Sequence, residues 1–356
     1  MIIMAKKKIN ILITGCGAPG IPGTVFSIKQ FSDQYDIFIL GTDTNSLAVG
    51  KHFCDKFAVI PSFNDTKNYL KSLIDLCEKN NIDVIIPQNT LELEILSKNK
   101  ISFEQVNTKI LISDNIAIKK SNNKFELMKV AEKIGIPYPS YTQVGNIHEL
   151  KEALISFGWP KKKVVVKPPL SNGSRGVRII DESIDLKEKF FNEKPGILST
   201  NFEIISLMLG DEFNTLLVME YLDGPEYSVD IFRHQSVEIV VPRSRGSIKS
   251  GITFFGTIED NDLIKEYSLK LSRALNLNFC FGFQFKMKNN IPHIIECNPR
   301  VQGSMVISTL GGANIIFNSV LALLKFDLIK MEVIQNTTFT RYWGGISENT
   351  KNKIII

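Results

Sequence analysis

The sequence is short of the residues that build disulfide frameworks and structural zinc sites. It contains five cysteines and four histidines among 356 residues. The cysteines are irregularly spaced, and no two of them form a Cys-x-x-Cys pair. This pattern predicts reduced, mostly buried thiols in a cytoplasmic protein, and it argues against both disulfide bonds and a zinc site.

Long apolar runs are missing as well. A membrane-spanning helix needs about 20 consecutive apolar residues, and no stretch of this sequence approaches that length. Three lysines precede the apolar residues 9–14, as they would in a signal peptide, but the apolar stretch is too short and runs directly into a glycine loop. We therefore interpret residues 9–14 as a buried strand and expect no membrane partner.

The charge balance is nearly even. Lys and Arg number 42 against 37 for Asp and Glu, which gives a net charge of +5. This mild excess fits an enzyme that handles anions such as nucleotide phosphates. Nucleic-acid binding usually needs a concentrated basic face, so no nucleic-acid partner is expected. The length and a hydrophobic content of 44% predict two or three domains with substantial cores.

Strands and helices alternate in the first part of the chain, and hairpins dominate the rest. Apolar, β-branched runs predict strands at residues 9–14, 36–40, 57–60, 83–87 and 109–112. Helical patterns lie between these strands, which indicates a Rossmann-like parallel sheet. The predicted divisions are 1–117, 118–214, 215–330 and a tail, 331–356, without a clear pattern except Arg341-Tyr342-Trp343.

A glycine motif follows the first predicted strand. Residues 15–20 read Gly-Cys-Gly-Ala-Pro-Gly, and Asp43 lies about 20 residues further on, as in dinucleotide-binding loops. Pro19 and Pro22 stand where the helix should begin, and no Tyr-x-x-x-Lys pair is found in a fitting place. A tight turn without a nucleotide is the favoured interpretation, and a substrate or anion contact is the second. A nucleotide-sugar or alcohol oxidoreductase using NAD(P) at this loop stays as the alternative function.

A lysine hairpin is the second candidate. Lys167 ends one predicted strand, residues 171–176 form a loop of small residues, and a second strand returns from Val177. Glycines let backbone N–H groups approach a phosphate, and the lysine supplies a point charge. Taken alone, the pattern fits an exposed hairpin equally well.

A row of oxygen-bearing side chains decides between a phosphate-binding hairpin and an exposed one. With the hairpin turn centred near Asn290, Gln284 and Glu296 face each other across two strands, and Asn298 points to the same face. Mg²⁺ prefers such oxygen ligands together with substrate phosphates. Arg300 continues the same period and can meet a phosphate or a carboxylate.

These elements together resemble the ATP-grasp superfamily, and within it the ligases similar to one half of a carbamoyl phosphate synthase. The order matches: the lysine hairpin, an acidic strand at residues 219–230, and the run Gln…Glu-x-Asn-Pro-Arg. The resemblance covers residues 118–325, and the Rossmann-like unit matches the leading domain of the family. It implies an α/β pre-ATP-grasp domain followed by an α+β ATP-grasp fold that clamps a nucleotide between two subdomains.

The resemblance also implies roles for individual residues. The implied nucleotide-binding residues are Lys124, Lys167, Ser171, Gly173, Ser174, Gly176, Glu220, Tyr221, Leu222 and Glu226. Of these, the lysines bind phosphates, the 171–176 loop closes over them, residues 220–222 face adenine and Glu226 meets the ribose. The implied metal ligands for Mg²⁺, with Mn²⁺ as a substitute, are Gln284, Glu296 and Asn298. The implied catalytic residues are Arg175, near the γ-phosphate, and Arg300, at the transferred phosphoryl group. Asn172 and Cys297 depart from the family pattern, but neither change removes a ligand.

The implied reaction is an ATP-dependent ligation. ATP phosphorylates a carboxylate, an amine attacks the acyl phosphate, and ADP and phosphate are released. The chain has one ATP-binding half, so carbamoyl phosphate synthesis itself is not expected. We predict that Arg243 binds a substrate carboxylate. Lys249 is a second candidate for this contact, but the competing interpretation places Arg245 and Lys249 at the solvated surface. Partners are then ATP, a small carboxylate and an amine, with a homodimer as the candidate assembly. A non-catalytic ATP-binding module is a further alternative, against which the retained metal ligands argue.

Overall fold

The computed structural model describes residues 6–171, 175–192, 198–249, 251–348 and 353–355. The predictions for Gly173 and Ser174 lie outside the described residues. Within the described ranges, no helix has the length and apolar character to span a membrane.

The N-terminal region forms the predicted parallel sheet. Its strands have the order β3-β2-β1-β4-β5 and are all parallel. Residues 9–13 of the first strand are fully or almost fully buried, because helices cover both faces of the sheet. The strands and helices are β1 Lys7–Ile13, α1 Ile21–Lys29, β2 Tyr35–Asp43, β3 Lys56–Val59, α2 Thr66–Asn80, β4 Val84–Ile86, α3 Leu93–Lys98, α4 Lys100–Glu104 and β5 Lys109–Ile110.

Two helices lead into a second, mostly antiparallel sheet. Its strand order is β6-β10-β7-β8-β9, so the boundary predicted at residue 214 falls within a strand of this sheet. The domain boundaries themselves stay predictions. The elements are α5 Asn115–Asn122, α6 Lys124–Lys133, β6 Tyr141–Asn146, α7 Ile147–Ser156, β7 Val164–Lys167, β8 Arg178–Ile180, α8 Leu186–Asn192, β9 Ser199–Thr200, α9 Phe202–Leu209 and β10 Glu212–Glu220.

A third, antiparallel sheet carries the predicted metal ligands. Its strand order is β15-β14-β11-β12-β13-β16. The elements are β11 Glu226–His234, β12 Val237–Lys249, β13 Ile252–Ile258, α10 Asp262–Ala274, β14 Phe279–Lys288, β15 Ile291–Asn298, α11 Val306–Leu310, α12 Ile315–Leu324 and β16 Thr338–Thr340.

The tail is more ordered than its sequence pattern indicated. Residues 331–356 were expected to lack a clear pattern, but β16 pairs with β13 at the edge of the third sheet. A small hairpin follows, formed by β17 Ile346–Glu348 and β18 Lys353–Ile355. Strands of three residues are too short to show a period of two, which explains why the pattern was missed.

The parallel sheet and the third sheet share a core. One hydrophobic cluster joins Ile9 and Ile21 to Ile315 and Phe317 of α12. Close backbone packing accompanies it, because a Cβ atom on Gly20 would lie 2.6 Å from the Cα of Gly303. The start of α1 is therefore pressed against the loop that follows β15.

Candidate active site on the third sheet

A bulge sets the register of the hairpin that carries the site. Asn289 and Asn290 form a two-residue turn, and both have positive φ, at 50° and 63°. A regular ladder from this turn would put Ile295 opposite Gln284. The register shifts beside Gln284, so Glu296 pairs with Gln284 instead. The predicted Gln284–Glu296 pairing is confirmed.

The paired side chains fit a divalent cation by donor type. Asn298 pairs with Gly282, one side-chain repeat beyond Glu296, and thus belongs to the same face of the sheet. Gln284, Glu296 and Asn298 offer oxygen donors but a single negative charge. Within the described ranges, no group of three or more His, Cys, Asp or Glu side chains could hold a metal. Bound Mg²⁺ would therefore depend on phosphate oxygens for the rest of its coordination.

Lys124 places a positive charge beside Glu296. It is the first residue of α6, whose N-cap Asn123 accepts hydrogen bonds from Phe125 and Glu126 N–H. The Lys124 Nζ lies 3.6 Å from Glu296 Oε1 and 3.3 Å from both the carbonyl oxygen and the Oγ of Ser171. The lysine is thereby held at the root of the loop predicted to close over phosphates.

Lys167 is hydrogen-bonded to the bulge of β15. It is the last residue of β7, and its Nζ donates to the carbonyl oxygen of Ile295 at 3.3 Å. Burial, reinforced by the neighbouring Lys124 charge, lowers the pKa of Lys167 from 10.5 to about 8, although Glu296 and Glu226 oppose the shift. Among the described residues Lys167 forms no ion pair, and a desolvated ammonium of this kind is well suited to receive a phosphate.

Gly176 shows why the loop needs a glycine at its far end. Its φ is +74°, and a Cβ atom there would lie 2.6 Å from Cγ of Pro168. A side chain at this position would be strained by both the backbone and the contact. The proposed roles of Arg175 and of the loop stay predictions.

Gln284, Glu296 and Asn298 together are called the metal face below. Arg300 connects this face with the N-terminal domain. Its Nη2 donates to Asn298 Oδ1 at 3.3 Å, its Nη1 to the Val301 carbonyl oxygen at 2.7 Å, and its Nε to Thr90 Oγ1 at 3.1 Å. Burial lowers the pKa of Arg300, while the Glu296 charge opposes the shift. The guanidinium is thus fixed in one orientation next to a metal ligand.

A buried glutamate, which sequence reasoning missed, lies in the same short 3-10 helix as Thr90. Glu92 accepts hydrogen bonds from Thr14 Oγ1 at 2.6 Å, from the Tyr69 hydroxyl and from the Asn89 N–H at 2.9 Å. Burial raises the pKa of this carboxyl. The Asn-x-x-Glu spacing of a capping box was the sequence signal that could have revealed it.

The predicted adenine-facing residues lie at the junction of the second and third sheets. The Glu220 carboxylate accepts from the Ser140 N–H at 2.9 Å and from Lys288. The Tyr221 ring has Lys286 Nζ 5.1 Å from its centroid, and Leu222 is buried. Their contacts with adenine stay a prediction.

Arg245 is the residue for which the expectation was wrong. Instead of lying at the solvated surface, its side chain is 5% exposed and forms an ion pair with Glu226. Its Nε also donates to Thr253 Oγ1 at 3.0 Å, and its Nη2 to the Gly251 carbonyl oxygen at 2.7 Å. The predicted ribose ligand is therefore held in place by a neighbouring arginine.

Arg243 lies on the same face of the third sheet as Gln284, because both residues pair with Ser228 on β11. It is 0% exposed and forms a bidentate pair with Asp230, with both N···O distances at 2.7 Å. Ser308 Oγ donates to the same carboxylate. Across the described residues, the Arg243 Nη1 has no hydrogen-bond partner although it is buried. Substrate binding by Arg243 stays a prediction that depends on this one nitrogen.

The glycine loop does not present a dinucleotide site. The Gly17 N–H, which would face a pyrophosphate in a dinucleotide-binding loop, donates to Asp43 Oδ2 at 2.6 Å. The helix after the loop starts with Gly20 packed against Gly303. The carboxylate and the packed backbone occupy the space and the donors that a pyrophosphate would need.

Two family models match the chain. Residues 212–342 match the family described as ATP-grasp in the biosynthetic pathway with Ter operon. Residues 11–111 match the PylC-like N-terminal domain. Over residues 212–342, the predicted resemblance to the ATP-grasp superfamily is confirmed. These matches do not support the oxidoreductase alternative, which we withdraw.

The curated relatives of this chain are much longer than the chain itself. The carbamoyl phosphate synthase large chain of Saccharolobus islandicus is 25% identical over 222 residues, which is 62% of this chain and 20% of the relative. The large chain of Clostridium botulinum is 24% identical over 258 residues, or 69% of this chain and 22% of the relative. The chain thus spans about a fifth of the length of these relatives.

Solved structures share the fold. An ADP complex of N5-carboxyaminoimidazole ribonucleotide synthetase has a TM-score of 0.66 at 15% identity, covering 93% of this chain and 80% of that one. Biotin carboxylase from Campylobacter jejuni has a TM-score of 0.66 at 18% identity, covering 92% and 73%. An L-amino acid ligase from Bacillus licheniformis has a TM-score of 0.62 at 15% identity, covering 90% and 75%. The predicted two-part architecture is confirmed as an ATP-grasp fold.

Proposed function

We propose that the chain is an ATP-dependent ligase that activates a carboxylate as an acyl phosphate and joins it to an amine, with release of ADP and phosphate. The observation that carries the proposal is the convergence on Glu296. Gln284 pairs with it, Lys124 lies 3.6 Å from it, and Lys167 contacts the residue before it. The lysines proposed to bind phosphate and the side-chain oxygens proposed to bind Mg²⁺ thus lie close together, as phosphoryl transfer requires.

The names of the similar proteins support this class of reaction. Carbamoyl phosphate synthase, N5-carboxyaminoimidazole ribonucleotide synthetase and L-amino acid ligase are the names of proteins similar to this chain. For this chain we propose a small-molecule carboxylate and a small-molecule amine as substrates, with Mg²⁺ as the divalent cation. We also propose a cytoplasmic location and assembly as a homodimer.

In the proposed mechanism, Lys124 and Lys167 bind the phosphates of ATP and orient the terminal phosphoryl group toward the metal face. Gln284, Glu296 and Asn298 would hold Mg²⁺, which neutralises charge that develops on the phosphoryl oxygens. Arg300, fixed by Thr90 and Asn298, stabilises the transferred group. Closure of the 171–176 loop, with Arg175 near the γ-phosphate, would exclude water that hydrolyses an acyl phosphate.

Replacement of Glu296 tests the proposal. We expect Glu296→Gln to lower Mg²⁺-dependent ADP release at least about a hundredfold, because it removes the only charge among the proposed metal ligands. ADP formation would be measured with Mg·ATP against a panel of amino acids and sugar acids. Glu152→Gln, at an exposed helix position, is the matched control.

Two outcomes would contradict the proposal. One is unchanged ADP release by the Glu296→Gln protein. The other is a thermal shift with NAD or NADP but none with Mg·ATP, since a ligand at 100 times its dissociation constant stabilises a protein by about 2.7 kcal/mol. A shift with Mg·ATP and no ADP release with any panel member would favour a non-catalytic ATP-binding module.

A further inference from the structure

The tail supplies an arginine to the junction between the N-terminal loop and the ATP-grasp domain. The Arg341 N–H donates to the Phe254 carbonyl oxygen at 2.7 Å, which fixes the backbone directly after β16. Its side chain then reaches three main-chain carbonyl oxygens. These belong to Thr253 at 3.5 Å, Pro19 at 3.4 Å and Gly303 at 3.3 Å. Arg341 therefore touches three separate parts of the molecule.

Among the residues that the structure describes, the Arg341 side chain has no anionic partner. All three side-chain hydrogen bonds are long and go to neutral acceptors, whereas strong guanidinium contacts are shorter and charge-assisted. Arg243 and Arg245, in the same sheet, each pair with a carboxylate. In the described part of the chain, no carboxylate forms an ion pair with Arg341, and burial lowers its pKa. A partly desolvated cation without a counter-charge favours an incoming anion.

An exposed aromatic side chain, Trp343, follows Arg341 by two residues, and both residues contact Phe254. Trp343 packs on Phe254, with ring centroids 5.1 Å apart, and Lys249 Nζ lies 4.8 Å from the Phe254 centroid. Trp343 is nevertheless 79% exposed. One face of the indole is supported by protein while much of its surface is open, so it can stack on a flat ligand group.

The position of these residues relates them to the proposed reaction centre. Gly303, a contact of Arg341, lies in the loop after β15 that also carries Arg300, and Pro19 lies in the glycine loop of the N-terminal domain. The predicted nucleotide-binding lysines are on β7 and α6, whereas the side-chain hydrogen bonds of Arg341 go to Thr253, Pro19 and Gly303. Arg341 therefore reaches the loop that carries Arg300 without contacting the predicted nucleotide-binding lysines.

We propose that Arg341 and Trp343 form a recognition subsite for an organic anion that carries a planar apolar group. Arg341 binds the carboxylate or phosphate of the ligand, and Trp343 stacks on its planar part. The proposal rests on the proposed function in one respect, since it assigns this ligand to one of the two substrates of the ligase. It gives a role to the Arg-Tyr-Trp run, which the nucleotide and metal sites leave unused.

Fluorescence of Trp343 tests the subsite directly. The chain has two tryptophans, so Trp159→Phe leaves Trp343 as the only one. The probes are 3-phenylpropionate and phenyl phosphate, which combine a ring with an anion, and 2-phenylethylamine and inorganic phosphate, which lack one of the two features. We expect saturable quenching or enhancement with at least one of the first pair, and none with the second pair.

Substitution of Arg341 in the same background completes the test. Arg341→Gln should weaken the binding of the responsive probe about tenfold or more, because it removes a charge-assisted contact. Arg341→Lys should recover part of the affinity, and Arg273→Gln, at a side chain that is 60% exposed, is the matched control. Chemical denaturation of each variant checks that the fold persists.

The failures of the two proposals are distinguishable. The subsite is overturned if no probe saturates, if 2-phenylethylamine binds as tightly as the anions, or if the Arg341→Gln and Arg341→Lys proteins, both folded, bind like the parent. Phenyl phosphate binding without 3-phenylpropionate binding identifies a phosphate ligand, and the reverse identifies a carboxylate. Glu296→Gln should leave these titrations unchanged, so loss of the ligase proposal does not remove the subsite.

Discussion

At the level of single residues, the pKa of Lys167 predicts that the proposed nucleotide binding depends on pH. Its pKa lies at about 8 in the free protein, and the ammonium form is the one that binds phosphate. As the pH rises through about 8, Lys167 loses its proton. Above this pH, binding of ADP to the ammonium form therefore requires Lys167 to take up a proton. We expect ADP affinity to fall above this pH by up to about tenfold for each pH unit, measured by calorimetric titration between pH 6.5 and 9.5.

The control for Lys167 is a cation that does not titrate in this range. Lys167→Arg should bind ADP with little pH dependence above pH 8, since arginine stays protonated. Lys270→Arg, at an exposed helix position, should keep the pH dependence of the parent. Equal pH profiles for the parent and the Lys167→Arg protein would refute the assignment.

Arg243 has a structural role that is separate from its predicted substrate contact. Because Arg243 and Asp230 are both 0% exposed and paired bidentately, Arg243→Lys removes one of two buried charged hydrogen bonds. We expect the free energy of unfolding to fall by about 2–4 kcal/mol, measured by urea denaturation. Arg273→Lys, in a pair with Glu238 at an exposed side chain, should change it far less, because solvent screens the pair. Similar losses in both variants would contradict this role.

At the level of elements, the hairpin of β14 and β15 shows what a sequence can predict. The alternation of side chains predicted that Gln284, Glu296 and Asn298 share a face, and it placed the turn centre near Asn290. The turn is in fact centred between Asn289 and Asn290, and the bulge restores the predicted pairing. Bulges arise from local backbone geometry that residue types do not encode strongly, so the correct pairing rested on two compensating errors.

Contacts that cross elements were beyond the reach of sequence patterns. The ion pair between Arg245 and Glu226 joins β12 to β11, and the contact of Arg300 with Thr90 spans two domains. Neither follows from periodicity, because both depend on how strands and domains are placed in space. The parallel sheet, by contrast, was predictable from its apolar runs alone, since each run is long enough to fill a buried strand.

At the level of the whole molecule, the proposed site depends on a fixed relation between the N-terminal domain and the ATP-grasp domain. Thr90 orients Arg300, and Pro19 contacts Arg341, so both arginines use the N-terminal domain as a support. The shared hydrophobic cluster and the stacked rings of Phe31 and Phe317, 5.4 Å apart, hold the two domains together. A change at this interface should therefore alter both the proposed site and the free energy of unfolding.

Gly20 is the position where this coupling can be measured. A methyl group there would lie 2.6 Å from the Gly303 backbone, which cannot yield as a flexible side chain would. We expect Gly20→Ala to lower the free energy of unfolding by about 1–3 kcal/mol and to weaken the response of Trp343 to the anionic probes, because the Gly303 and Pro19 carbonyls beside Arg341 must move. Gly145→Ala is the matched control, since the atoms nearest to its added methyl lie at 3.9 Å and 4.0 Å. A destabilised Gly20→Ala protein with an unchanged probe response would show that the interface stabilises the fold without shaping the subsite.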